Sequence, residues 1–188
     1  IAERALWAHS RGLKVHLDGA RLFNAEVATG DSAAAIGAHC DTVNICLSKG
    51  LGAPVGSILA GSAALIKDAD RVRHRLGGGW RQAGMLAAAG AYALTHHVAR
   101  LTDDHEHARA LADALSATGI AAPFHEVRTN LVCYRVDPAW GPASKLTETL
   151  AERGVLVLHT GPSTGRLVTH LDISEDDIHT VIDILRTL

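Results

Sequence analysis

Asn44-Ile45-Cys46-Leu47-Ser48-Lys49-Gly50-Leu51-Gly52-Ala53-Pro54-Val55-Gly56-Ser57 sets one lysine between an apolar run and a glycine-rich turn. Val43 to Leu47 is apolar except for Asn44, the pattern of a buried parallel strand. Gly50, Gly52 and Pro54 then prevent the strand, or a helix, from continuing. Lys49 is therefore expected at the C-terminal end of a strand, where open α/β sheets bind their ligands. An amine held against a desolvated strand end is disfavoured as ammonium and becomes a nucleophile able to form a Schiff base. Taken alone, the same lysine would also fit an ordinary surface position after a strand.

Upstream, Leu13-Lys14-Val15-His16-Leu17-Asp18 reads as a second strand, with His16 and Asp18 on one face and Val15 and Leu17 on the other. Gly19-Ala20-Arg21 turns the chain, and Ala33 to Gly37 is a short helical segment on the way to the lysine strand. A connection of this length suits a crossover between parallel strands, so Asp18 and Lys49 are expected to face one crevice. A lysine and an aspartate at neighbouring strand ends suit pyridoxal phosphate, whose aldehyde is taken by the lysine and whose ring nitrogen is kept protonated by the carboxylate. Arg21, Arg81 and Arg166 each follow or adjoin a turn and could grip phosphate or carboxylate through the planar guanidinium; singly, each also fits a solvated charge.

Composition narrows the function classes. The 188 residues are 47% hydrophobic, enough for a real core, and the formal charge of −2 comes from 18 basic and 20 acidic side chains with no basic block. That balance gives no electrostatic reason for nucleic acid or a membrane surface as partner and favours a small molecule. Three cysteines without a C-x-x-C pair fit reduced thiols in the cytoplasm, and no zinc or other metal site is indicated. His96-His97 and His105-x-His107 have spacings that could bind metal, but they are read as solvated helix histidines. His16 is read either as a brace for Asp18 or as an ordinary strand histidine, and Ser48 either as a phosphate contact or as a turn serine.

The remainder is expected as a strand over 55–60, helices over 62–75, 82–97 and 102–117, a strand over 131–136, a helix over 144–153, strands over 155–159 and 166–171, and a final helix from Ser174. Ser174 with Asp177 has the form of a capping box. The candidate boundary is Arg100-Leu101, dividing residues 1–100, part of a large α/β domain, from residues 101–188, a small α+β domain with an antiparallel pair around Gly161-Pro162-Ser163-Thr164-Gly165.

Four blocks carry a family resemblance: His16-Leu17-Asp18-Gly19-Ala20-Arg21-Leu22-Phe23-Asn24-Ala25, Ser48 to Ser57, Leu76-Gly77-Gly78-Gly79-Trp80-Arg81-Gln82-Ala83-Gly84, and Arg166-Leu167-Val168-Thr169-His170-Leu171-Asp172. In this order they resemble the low-specificity L-threonine aldolase family. The resemblance implies the pyridoxal-phosphate-dependent transferase fold (fold type I) and cleavage of L-threonine or L-allo-threonine to glycine and acetaldehyde. It further implies Lys49 as the Schiff-base lysine, Asp18 at the pyridinium nitrogen, Arg21 and Arg166 on the substrate carboxylate, Arg81 near the cofactor phosphate, and a homo-oligomer, dimer or tetramer. Trp80 and His74 depart from the family pattern. The family's N-terminal segment, with a ring-stacking histidine and a phosphate loop, has no counterpart in the sequence, so the chain is expected to be a C-terminal portion. Another fold-type-I lyase or aminotransferase, or an incomplete piece acting only as a scaffold, are the alternative readings.

Overall fold

The chain opens with α1 (Ala2–His9), β1 (His16–Gly19), α2 (Leu22–Thr29), α3 (Ala33–Gly37), β2 (Thr42–Cys46), β3 (Ser57–Gly61), α4 (Ala63–Arg75) and α5 (Gly84–His96). It continues with α6 (Leu101–Ala117), β4 (Ala121–Pro123), β5 (Leu131–Val136), α7 (Ala143–Ala151), β6 (Leu158–His159), β7 (Thr164–Val168) and α8 (Glu175–Arg186). The computed structural model describes residues 1–188 and divides them into two compact units, Ile1–Ala99 and Arg100–Leu188.

In the first unit β1 and β2 are parallel, as the crossover length implies, and β3 returns antiparallel on the far side of β2. β1 is shorter than expected, because the backbone of Val15 is turned toward Asp41: its N–H donates to the Asp41 carboxylate at 2.9 Å, and its carbonyl accepts from the Asp41 N–H. Ser32 and Ser62 cap α3 and α4, each accepting from the backbone N–H three residues on. A small core of Leu47, Leu51, Ala53 and Ala93, with Phe23, Leu94 and Val98 against it, joins α2 and α5 to the segment after β2. α2 was not expected.

The second unit is an antiparallel sheet of order β4-β5-β7-β6 with α6 and α7 packed to it and α8 packed on α6. Alternation along β5 buries Val132, Tyr134 and Val136 against Ala108, Leu115, Leu146, Leu150 and Leu185. Ser174 and Asp177 form the expected capping box at the start of α8. β7 begins two residues before the expected strand. Gly165 is a strand residue there: it lies opposite Tyr134, and a Cβ on it would collide with the tyrosine ring.

Candidate active site

Strand register assembles the first part of the site. His16 pairs with Thr42 and Asp18 with Asn44, so these four side chains, then Cys46, project from one face of the sheet. The opposite face carries Leu17, Val43 and Ile45 toward the helical side. The two parallel strands end together, and Gly19 allows their close approach: a Cβ there would stand 2.5 Å from the Asn44 carbonyl oxygen. Asp18 thus occupies the C-terminal edge of β1 while Lys49 follows the C-terminal edge of β2.

The lysine sits on a closed loop between β2 and β3. The Leu47 N–H donates to Gly56 O at 3.0 Å, the Ala53 N–H to Leu47 O at 2.9 Å, and the Gly52 N–H to Lys49 O at 2.9 Å, a four-residue turn with Gly52 at φ 68°. Gly50 and Leu51 are buried and Lys49 is exposed, so the turn is anchored through its apolar members and presents the amine outward. The desolvated environment expected for Lys49 is absent from this chain. Cys46 Sγ lies 3.5 Å from Ser48 Oγ. Burial pushes the Cys46 thiol up, but the hydrogen bonds from Ser48 and the nearby charge of Lys49 outweigh it and hold the thiol below its ordinary value.

The other candidate residues are distributed as follows. His16 does not brace Asp18 through a hydrogen bond; its Nδ1 is 2.8 Å from Thr42 Oγ1 on the neighbouring strand. Ser48 is exposed beside the lysine. Arg21 is the residue before α2, in the turn directly after β1. Arg81 is exposed in the glycine-rich connection before α5, next to Gln82, whose φ of 55° is left-handed. Arg166 belongs to the second unit, in mid-β7, flanked by Cys133 and Leu158 on the adjacent strands. Its Nε is buried without a hydrogen-bond partner, and it borders a cavity of about 510 Å³ with Leu158, Val168 and His170. Two histidines read as solvated are not: His105 is buried, and His97 Nδ1 lies 2.6 Å from Leu51 O. Asn44 was also missed, although it was the one polar residue in an apolar strand; only the register shows that it faces Asp18.

An exposed carboxylate and an exposed amine, neither taking part in an ion pair within the chain, stand at adjacent parallel strand ends with a turn serine next to the amine. That donor set fits pyridoxal phosphate, which needs an amine for its aldehyde and an acceptor for its ring N–H.

The chain is 46% identical over 172 residues to the low specificity L-threonine aldolase of Escherichia coli strain K12, an alignment covering 92% of the chain and 50% of that relative. It therefore spans about half the length of the curated relatives it matches. The threonine aldolase of Leishmania major superimposes with a TM-score of 0.76 at 18% identity, covering 99% of this chain and 55% of that one. The Oryza sativa TDC structure with PLP and tryptamine superimposes with a TM-score of 0.71 at 18% identity, covering 100% and 44%. The fold is that of the fold-type-I, pyridoxal-phosphate-dependent enzymes. The family profile described as beta-eliminating lyase matches residues 1–138, nearly three quarters of the sequence, and the chain belongs to that family.

Proposed function

We propose that this chain carries the lysine-bearing part of a pyridoxal-phosphate-dependent aldehyde-lyase that cleaves L-threonine or L-allo-threonine to glycine and acetaldehyde. The observation that carries the reading is the pairing of Asp18 on β1 with Asn44 on β2, which sets the carboxylate beside the strand that leads into the Lys49 turn. Likeness to relatives named threonine aldolases supports the substrate class. When bound, the cofactor supplies an electrophilic carbon and a protonated ring that withdraws electrons from the bond being broken.

In this reading Lys49 holds the cofactor through its Nζ and, once free, moves a proton at the substrate α-carbon. Asp18 accepts a hydrogen bond from the ring nitrogen and so holds a proton there. Ser48 and Arg81 contribute to phosphate binding, and Arg21 and Arg166 take the substrate carboxylate, for which a planar fork of donors is suited. The reaction balances without a further reactant: the Cα–Cβ bond breaks, the hydroxyl proton leaves as the aldehyde carbonyl forms, and Cα gains a proton. The protein is assigned to the cytoplasm as a homo-oligomer, a placement supported by its three free thiols and by the apolar side chains on its surface. No helix is long and apolar enough to cross a membrane.

The test is Lys49→Ala in the intact protein. Wild type should take up pyridoxal phosphate with an absorbance band near the visible edge, lose the band on borohydride treatment with label on Lys49, and release acetaldehyde from threonine. The variant should lack the label and lose about 10²-fold or more in turnover. Threonine cleavage at the wild-type rate in that variant would sink the assignment. Parallel assays with serine, and with an oxo-acid acceptor, separate an aldolase from another lyase or an aminotransferase.

A further inference from the structure

His97 follows α5 as its C-terminal cap residue, 46 positions beyond the turn that carries the lysine, yet it makes the shortest polar contact to that turn. Its Nδ1 stands 2.6 Å from the Leu51 carbonyl oxygen. A carbonyl only accepts, so Nδ1 must carry the proton, and the ring is fixed in one tautomer and orientation. The Tyr92 ring meets the His97 ring edge-on at 5.5 Å, limiting its rotation from the side of α5.

Backbone bonds close the turn but leave one of its carbonyls to His97. Lys49 O is taken by the Gly52 N–H and Leu47 O by the Ala53 N–H, whereas the Leu51 carbonyl, on a residue only 3% exposed, projects away from these internal bonds. Without His97 that carbonyl would be a buried acceptor lacking a partner, and the turn would gain by rotating it toward water. Rotation of the Leu51 peptide moves Gly50 and Lys49 with it, since all three lie within one four-residue turn. α5 fixes the turn at two further points: Ala93 packs with Leu47, Leu51 and Ala53, and a Cβ at Gly90 would come within 2.8 Å of Leu47 Cδ1, so the helix lies close against the loop.

We propose that His97 is a positioning residue for Lys49: its Nδ1–H, by holding the Leu51 carbonyl, sets the turn that aims the lysine amine. The functional consequence rests on the reading of Lys49 as the cofactor lysine. The contact itself does not.

Three substitutions in the intact protein test this, chosen by where each side chain can present an N–H. Asparagine places its amide nitrogen close to the position of Nδ1, glutamine places it nearer that of Nε2, and alanine has none. Two readouts need no cofactor. In His97→Ala and His97→Gln the Gly52 amide should exchange with deuterium about tenfold faster than in wild type, the loss of one turn-fixing hydrogen bond. Trace acetylation of Lys49 at one fixed pH, normalised to the exposed Lys67, should change in rate by about threefold or more in both, because the amine is no longer held in one orientation. His97→Asn should return both quantities to within about twofold of wild type. A third readout is the rate at which added pyridoxal phosphate produces the borohydride-sensitive band, expected to slow in His97→Ala and His97→Gln and to recover in His97→Asn.

Wild-type Gly52 exchange and an unchanged Lys49 acetylation rate in His97→Ala would overturn the proposal. So would a His97→Asn variant that melts like wild type but restores neither readout. If His97→Ala does not fold, the contrast between His97→Asn and His97→Gln decides by the same criteria. If wild type forms no band while exchange and acetylation respond as expected, the cofactor reading fails and the positioning of Lys49 by His97 stands.

Discussion

The two units have similar lengths but very different interiors. Seven of the buried apolar residues lie in Ile1–Ala99 and sixteen in Arg100–Leu188. In the second unit α6 and α7 pack on the sheet and α8 packs on α6, and Tyr134, Leu146 and Leu150 have almost no exposure. In the first, α4 has no buried residue, although Leu65 and Val72 within it and Leu76 at its C-terminal cap repeat at helical spacing; Leu76 is 83% exposed, as is Met85 at the start of α5. Such a stripe at the surface is what the homo-oligomer proposed above would cover. The unit holding the candidate chemistry is thus the one whose packing this chain does not complete by itself.

Separating the units is the strongest way to break this comparison. Residues 100–188 expressed alone should give a monomer with a cooperative thermal transition and dispersed amide resonances, while residues 1–99 should bind a hydrophobic dye and associate. A monomeric, cooperatively folded first unit would end the argument. Next in size is the contrast between a closed and an open surface. Leu146→Ala, at a residue with no exposure, should cost about 3 kcal/mol in denaturant titration, through lost transfer energy and the cavity left behind. Met85→Ser should change stability by no more than about 0.5 kcal/mol and should reduce association.

The smallest effect sharpens the comparison through pH. In the first unit Asp41 ties the strand ends together: it accepts from the Val15 N–H, from Lys14 Nζ and from His9 Nε2, each at 2.9 Å. The Val15 N–H first, then Lys14 and His9, hold its carboxyl well below the ordinary value of 3.8. Because the folded value is the lower one, the unfolded chain binds more protons as pH falls through this range. The contribution is fully present above 3.8 and is lost as pH drops toward the folded value. Asp41→Asn should therefore flatten the acid limb of the first unit's stability profile, a small change because the clasp is at the surface. An acid limb that keeps its slope in the variant would remove Asp41 from the account.

Much of the fold was legible because it depends on local signals. β5 matches its expected span, α4 begins at Ser62 as its cap, and α8 begins with the capping box. The misses have physical reasons. In α2 apolar residues are not confined to one stripe, so Leu22, Phe23, Ala25, Val27 and Ala28 give no helical period. β4 is three residues ending in proline, below what alternation can reveal. Gly165 was read as part of a turn, although its missing side chain serves the Tyr134 ring across the sheet. β6 was expected over five residues and pairs over only two, with Leu156 before it 86% exposed.

The candidate site was legible where chain order sufficed. Lys49 and Asp18 could be set at strand ends from their own neighbours, and their strands proved adjacent and parallel. Asn44 opposite Asp18 and His97 on the Leu51 carbonyl could not, since one depends on register and the other on a contact between residues 46 positions apart. Spacing also misled for His105: i, i+2 histidines on an acidic helix looked solvated, whereas the fold buries His105 and its burial lowers the tendency of the ring to protonate.

The loop between β2 and β3 closes on itself through Leu47 N–H to Gly56 O. Conformational entropy of the Leu47–Gly56 segment is consequently surrendered during folding, and little remains to be lost when the lysine amine meets a reactant. The rate of amine capture by an aldehyde should then be governed mainly by enthalpy over the range in which the fold is intact. Where the hairpin begins to open, the activation entropy should turn sharply unfavourable, so that heat inactivates the lysine while most of the chain's helical structure is still in place.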